Sequence, residues 1–150
     1  MTQQRDVPQP RVKVIACGVF ERELDHLASS RVAFDRLLLD AGLHSSPERL
    51  HRELQAAIDG TPPGAYDALA LLYGLCGRAA VGLVARETPL AVPRVHDCIA
   101  LFLGDAEVWR QQFRACPGTL YLTPGWCEKD AHPDRHRLEA AQHAWTAAQH

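Results

Sequence analysis

The sequence has no excess of charge of either sign: 16 Lys and Arg against 18 Asp and Glu leave a formal net charge of −2. Its basic residues are scattered among acids and never form a run, so the electrostatic footprint of a nucleic-acid binder is missing. Long hydrophobic runs are also missing. Stretches such as 65–76 fall far short of the ~20 residues that a spanning helix needs. The N-terminal MTQQRDVPQPR has no apolar segment behind it and reads as neither signal peptide nor anchor. No G-x-G-x-x-G and no G-x-x-x-x-G-K-[ST] occurs, which removes the two common phosphate-cradling loops. A C-x-x-C pair and a G-x-S-x-G elbow are absent too. The expectation is a cytoplasmic chain with neither nucleic acid nor membrane as partner.

What is present is a patterned chain of one-domain size. A chain of 150 residues buries roughly 70% of its unfolded surface on folding. Hydrophobic residues make up 47% of it, ample for one core. Residues 1–10 are polar and read as disordered, residues 11–127 as one domain, and residues 128–150 as a His-rich, partly helical tail. Val12–Ala16 is a short β-branched apolar run that stops at Cys17-Gly18, as a buried parallel strand does. Val19–Ala28 has helical spacing, and Val32–Leu39 reads as a second strand. Ser46 followed by Pro47 marks the start of a helix running to about Ile58 and stopping at Gly60. Tyr66–Tyr73 is the third strand, 78–86 a small-residue helix, and Leu90–Val92 a fourth strand. Helices over Asp97–Leu103 and around Trp109–Phe113 lead to a last strand, Thr119–Leu122. The alternation predicts an α/β fold: a single Rossmann-like, flavodoxin-like domain, with a mostly parallel sheet of about five strands and helices on both faces.

Ligands of open parallel sheets bind beyond the carboxyl ends of the strands. Three of the five cysteines fall there, Cys17, Cys76 and Cys98, each at the predicted start of a helix. Unpaired N–H groups at such a start lower a thiol pKa and favour the thiolate that a metal or a nucleophile requires. Three thiolates with one imidazole, from His44 or His96, would suit zinc. Three thiolates with an open position would suit an iron–sulfur cluster. Against this stands the tendency of free cysteine simply to be packed. An odd cysteine count in a reducing compartment argues for thiols rather than a disulfide framework. Glu21 and His96 are the candidate proton carriers, and Arg94 and Tyr73 the candidate ligand-binding residues. Asp97 reads first as a helix cap and second as an acid–base partner of His96. Gly74-Leu75-Cys76-Gly77 is shaped like a nucleophile elbow without its full pattern. Cys116 reads as a surface thiol and Cys127 as a reserve ligand.

The segments IACGVFERE (15–23), LDAGLHSSPERL (39–50), YGLCG (73–77), VPRVHDCIALFLG (92–104) and PGTLYLTPGW (117–126) resemble the domain of unknown function 1638 family. The resemblance brings no established activity. It implies cytoplasmic proteins of bacteria and archaea, some of which accompany corrinoid-dependent methyl-transfer systems, and so a corrinoid or methyl-transfer protein as partner. Members usually continue well beyond the PGW segment, where this sequence has a short His-rich tail. The D-x-H-x-x-G corrinoid signature is absent, which argues against the chain holding a corrinoid itself.

Together these features give the expected function. It is a metal-binding protein, zinc or iron–sulfur, with Cys17, Cys76, Cys98 and His44 as ligands, supporting thiol or methyl-group transfer on a small molecule, and able to form a homodimer. The alternative is a non-catalytic module that holds a small anion, with structural cysteines and Arg94 as counter-ion.

Overall fold

The computed structural model describes residues 9–28 and 33–129. Among the described residues four strands form one wholly parallel sheet: β1 (Val12–Cys17), β2 (Phe34–Leu39), β3 (Ala68–Leu72) and β4 (Leu90–Ala91), in the order β2-β1-β3-β4. β1 lies in the middle. Val12 is in register with Phe34 on one side and Ala68 on the other. Ile15, Ala16 and Cys17 are all buried. Consecutive residues point to opposite faces of a strand, so this run shows that both faces of the sheet are covered.

The connections explain the cover. A 3-10 turn, Gly18–Phe20, leads from β1 into α1 (Glu21–Ala28), and a second, Ala41–Ser45, leads from β2 into α2 (Pro47–Asp59). β1 to β2 and β2 to β3 step in opposite directions across the sheet, so right-handed crossovers carry α1 and α2 over opposite faces. α2 is the best-specified helix. Pro47 occupies its first turn, Gly60 ends it, and Leu50, Leu54 and Ile58 form a buried stripe at successive four-residue steps. Burial of each such side chain is worth about 1.5–3 kcal/mol. Ser46 holds the N-cap position as expected, but its side chain makes no capping bond.

Beyond β4 come α3 (Cys98–Phe102), α4 (Ala106–Ala115) and α5 (Pro124–Glu128). Phe102 of α3 stacks on Phe20 with ring centroids 4.3 Å apart. Among the described residues no helix is long and apolar enough to cross a membrane.

Two expectations fail. The sheet has four strands rather than five: Thr119–Leu122 is irregular, with Leu120 and Leu122 exposed. The cause is the edge it would have to join. β4 is two residues long, bounded by Pro89 and Pro93, and offers no ladder to a fifth strand. Residues 78–82 are turns and 83–86 irregular backbone rather than a helix. Arg78 and Gly82 adopt positive φ, 74° and 80°, which a right-handed helix forbids. The segment is instead strapped to α2. His51 Nδ1 bonds Ala79 O (2.9 Å), and the Gln55 amide bonds both Val84 O (3.1 Å) and Val84 N (2.9 Å). The parts of the sequence reading that concern residues 1–8, 29–32 and 130–150 lie outside the described residues.

Candidate functional site

The site is built where β1 and β3 end side by side. β1 finishes at Cys17 and turns at once through Gly18. β3 finishes at Leu72, and residues 73–77 run on as irregular backbone. That run stays paired with the segment leading into α3: Leu75 N–H donates to Val95 O (3.0 Å) and Cys76 N–H to His96 O (3.2 Å). Gly74 permits the approach. A Cβ on it would lie 2.5, 2.6 and 2.7 Å from the Cα, C and N of Asp97. Cys76 then turns sharply with φ 43°, followed by Gly77 at 66° and Arg78 at 74°. For the two side chains other than glycine, this left-handed backbone costs on the order of 1–2 kcal/mol each. Such strain persists only where the surroundings impose it, and it gathers at functional sites.

Cys98 comes into reach because α3 begins beside this turn. Asp97 caps α3, its Oδ1 accepting from Ile99 N (3.0 Å) and Ala100 N (3.2 Å). The three cysteines then act on one another, with the buried Tyr73 hydroxyl among them. Among the described residues no hydrogen bond of ordinary geometry reaches Tyr73 Oη, and Cys17 is the side chain that acts on it as a hydrogen-bond neighbour. Burial pushes its pKa far up, and the three nearby thiols reinforce the rise.

The thiols are not equivalent. The Cys98 thiol donates to Cys76, which is the main reason the Cys76 pKa falls; backbone hydrogen bonds from Gly74 and Cys98 pull it down further, against the cost of burial. Cys98 moves the other way, well above the thiol range, first because it gives its proton to that bond and then because it is buried. Cys17 is also raised, chiefly by burial, and the neighbouring Cys76 adds to it. Among the described residues, Asp40 and Asp97 are charged neighbours whose carboxylates push these pKa values up. The thiol pKa thus falls at Cys76 and rises at its two neighbours, at Cys98 first through its hydrogen bond with Cys76 and then through burial, and at Cys17 chiefly through burial.

The other candidates stand around this centre. His96 is exposed, with Nδ1 bonded to Asp97 Oδ2 (3.0 Å) and its ring stacked on Trp109 (5.0 Å between centroids), which stacks in turn on Phe113 (5.2 Å). His44 is engaged by Ala41 O through Nδ1 (2.6 Å) and packs edge-on against Trp126 (5.1 Å). Glu21 pairs with Lys129 on the wall of a cleft of about 470 Å³ shared with Gly18 and Asp40. Arg94 is exposed between β4 and α3. Cys116 and Cys127 are both exposed. Among the described residues, no three of His, Cys, Asp and Glu stand as a ready set of metal ligands.

The family described as "Protein of unknown function (DUF1638)" matches residues 38–148. The chain belongs to that family. The match starts within β2 and takes in Tyr73, Cys76, Cys98 and the segment after Trp126, while β1 with Cys17 precedes it. No curated protein and no solved structure matches the chain.

Sequence reasoning missed two contributors. The first is Gly74, whose role is to let the Asp97 backbone approach. The glycines on either side of Leu75-Cys76 were the available signal. The second is Trp109, which holds the His96 ring and sits too far along the chain for spacing to link them.

Proposed function

We propose that this protein works through a single cysteine thiolate, Cys76, which accepts or transfers a small alkyl group such as methyl. The observation that carries the reading is the forced geometry at Cys76: a left-handed turn pinned to His96 O, with the Cys98 thiol and two backbone groups directed at its sulfur. A thiolate, rather than a thiol, is the nucleophile in such chemistry. The Cys76 sulfur attacks the electrophilic carbon, an S–C bond forms as the bond to the leaving group breaks, and that group departs with its electron pair. Cys98 keeps its proton throughout and stabilises the sulfur before attack.

The location supports the reading. In the order β2-β1-β3-β4 the chain reverses direction across the sheet between β1 and β3, where open α/β sheets bind ligands. We read that order as a Rossmann-like, flavodoxin-like arrangement, and the setting as cytoplasmic, where thiols stay reduced.

The test is the pH dependence of Cys76 alkylation by iodoacetamide, followed by peptide mass. Its midpoint is expected below the ordinary thiol value of about 8.5, because the reactive form survives to lower pH when the pKa is lowered. Cys98→Ala removes a hydrogen bond to a charged group, worth about 1.5–3 kcal/mol, so alkylation at neutral pH should slow by about tenfold or more. Cys98→Ser, which restores an O–H donor, should recover part of the rate. An unshifted midpoint, or a rate indifferent to Cys98→Ala, would end this reading.

A metal reading is favoured by one further observation: the third thiol, Cys17, interacts with both Cys76 and Cys98. A soft cation such as zinc, or an iron–sulfur cluster, would offset both the burial that raises Cys17 and Cys98 and the repulsion among three thiolates. Zinc–sulfur bonds of ~2.3 Å would require the three sulfurs to draw together. Elemental analysis of anaerobically purified protein should then find stoichiometric zinc or iron, lost in Cys17→Ser, Cys76→Ser and Cys98→Ser. Metal-free protein with a reactive Cys76 leaves the thiolate reading alone.

A further inference from the structure

We infer that Cys76 and Cys98 form a reversible disulfide that switches the site off. The inference rests on the reading of Cys76 as the working sulfur and adds its regulation. Two features bring the two residues together: the Leu75–Val95 and Cys76–His96 hydrogen bonds (3.0 and 3.2 Å), and the close packing of Gly74 on Asp97, the residue before Cys98; the influence of each thiol on the other agrees with them. A disulfide needs the two Cα atoms about 4.4–6.8 Å apart; the backbone bonds lay the segment that leads into Cys98 directly against the one that carries Cys76.

Accessibility orders the two sulfurs. Cys76 is half-buried, while Cys98 and Cys17 are buried, so an oxidant meets Cys76 first. The oxidant is a low-molecular-weight disulfide. The Cys76 sulfur attacks one of its sulfur atoms, a mixed disulfide forms, and one small thiolate leaves and takes a proton from water. Cys98 then gives up its proton, attacks the Cys76 sulfur and expels the second small thiolate, which carries that proton away. Two cysteine thiols and one small disulfide become one protein disulfide and two small thiols. The bridge consumes the nucleophile together with its hydrogen-bond donor, and excess thiol restores both.

The experiment uses the full chain with oxidised glutathione, then acid quenching, alkylation and tryptic mapping. Cys17, Cys76 and Cys98 lie in separate peptides, 14–22, 53–78 and 95–110, so each pairing is distinguishable. The expected product has lost two hydrogens and joins 53–78 to 95–110, and dithiothreitol reverses it. Cys17→Ser should leave the bridge intact. Cys98→Ser should stop the reaction at a glutathione adduct on 53–78, a positive signal that does not depend on the bridge. Wild-type protein that keeps that adduct, or that bridges to 14–22 instead, overturns the inference while leaving Cys76 as the reactive thiol. If Cys76 takes neither glutathione nor iodoacetamide in the folded protein, the switch and the proposed function fall together.

Discussion

Gly74→Ala is expected to unfold the edge of the sheet and to abolish the distinctive reactivity of Cys76 together. The added methyl carbon would lie 2.5–2.7 Å from three backbone atoms of Asp97. Backbone cannot step aside as a flexible side chain can, so the segment 95–98 has to move as a unit. Moving it breaks the Leu75–Val95 and Cys76–His96 hydrogen bonds and takes the Cys98 sulfur away from Cys76. Overpacking of this kind costs about 1–3 kcal/mol, and each lost backbone bond adds roughly 1 kcal/mol. A cost of about 4 kcal/mol would lower the melting temperature by roughly 8–16 °C in a domain of this size. Calorimetry measures the first effect and the pH profile of alkylation the second. A variant that melts at the wild-type temperature with its Cys76 profile unchanged would show that residues 74 and 97 do not meet as described.

The second large effect is expected at Gly125→Ala. Here the added carbon would fall 1.8 Å from Val19 O and 2.6 Å from Val19 C, far inside non-bonded contact distance. Gly125 is in the first turn of α5 and Val19 is in the 3-10 turn after β1; both are buried. Helix and turn cannot both keep their places. The turn is anchored by Val19 and Phe20 in the core, so α5 is the element that yields. Its departure takes Trp126 out of the core and removes the edge contact with His44. Loss of a buried Trp side chain is worth about 3–5 kcal/mol, which sets the expected fall in unfolding free energy. Denaturant titration would measure it, and tryptophan emission should shift to the red as Trp126 meets water. Emission and midpoint both equal to wild type would contradict the seating of α5 on this turn.

Much of the scaffold could be read from the chain because local chemistry and the fold agree there. The β-branched run Val12–Ala16 is β1 almost to the residue. Ser46, Pro47 and Gly60 bracket α2, and Asp97 caps α3 as its residue type suggests. The three strand-end cysteines could be placed by a rule about parallel sheets that needs no coordinates. Elsewhere the deciding forces come from distant residues. Ala79 and Ala80 favour a helix, but His51 and Gln55 of α2 hold that segment in turns. Thr119–Leu122 has strand composition, but the neighbour it needs is two residues long and lies between prolines. The ionisation of the thiols was the least legible property. Proximity to a helix start favours a thiolate at each position, whereas burial and hydrogen bonding pull the pKa down at Cys76 and up at Cys17 and Cys98.

The central place of β1 also governs how the chain can fold during synthesis. β1 leaves the ribosome first, yet both of its partners come later: β2 starts at Phe34 and β3 at Ala68. Until residue 72 has been made, the strand that will be most deeply covered has no second neighbour, and its apolar face must wait. Pairings this far apart in sequence close slowly, because loop entropy is spent before any contact repays it. An unpaired apolar strand is also a template for the wrong partner. Lys13, at the second position of β1 and bonded by its ammonium to Thr61, puts a charge on that waiting strand. That charge opposes self-association of nascent chains until α2 and β3 arrive.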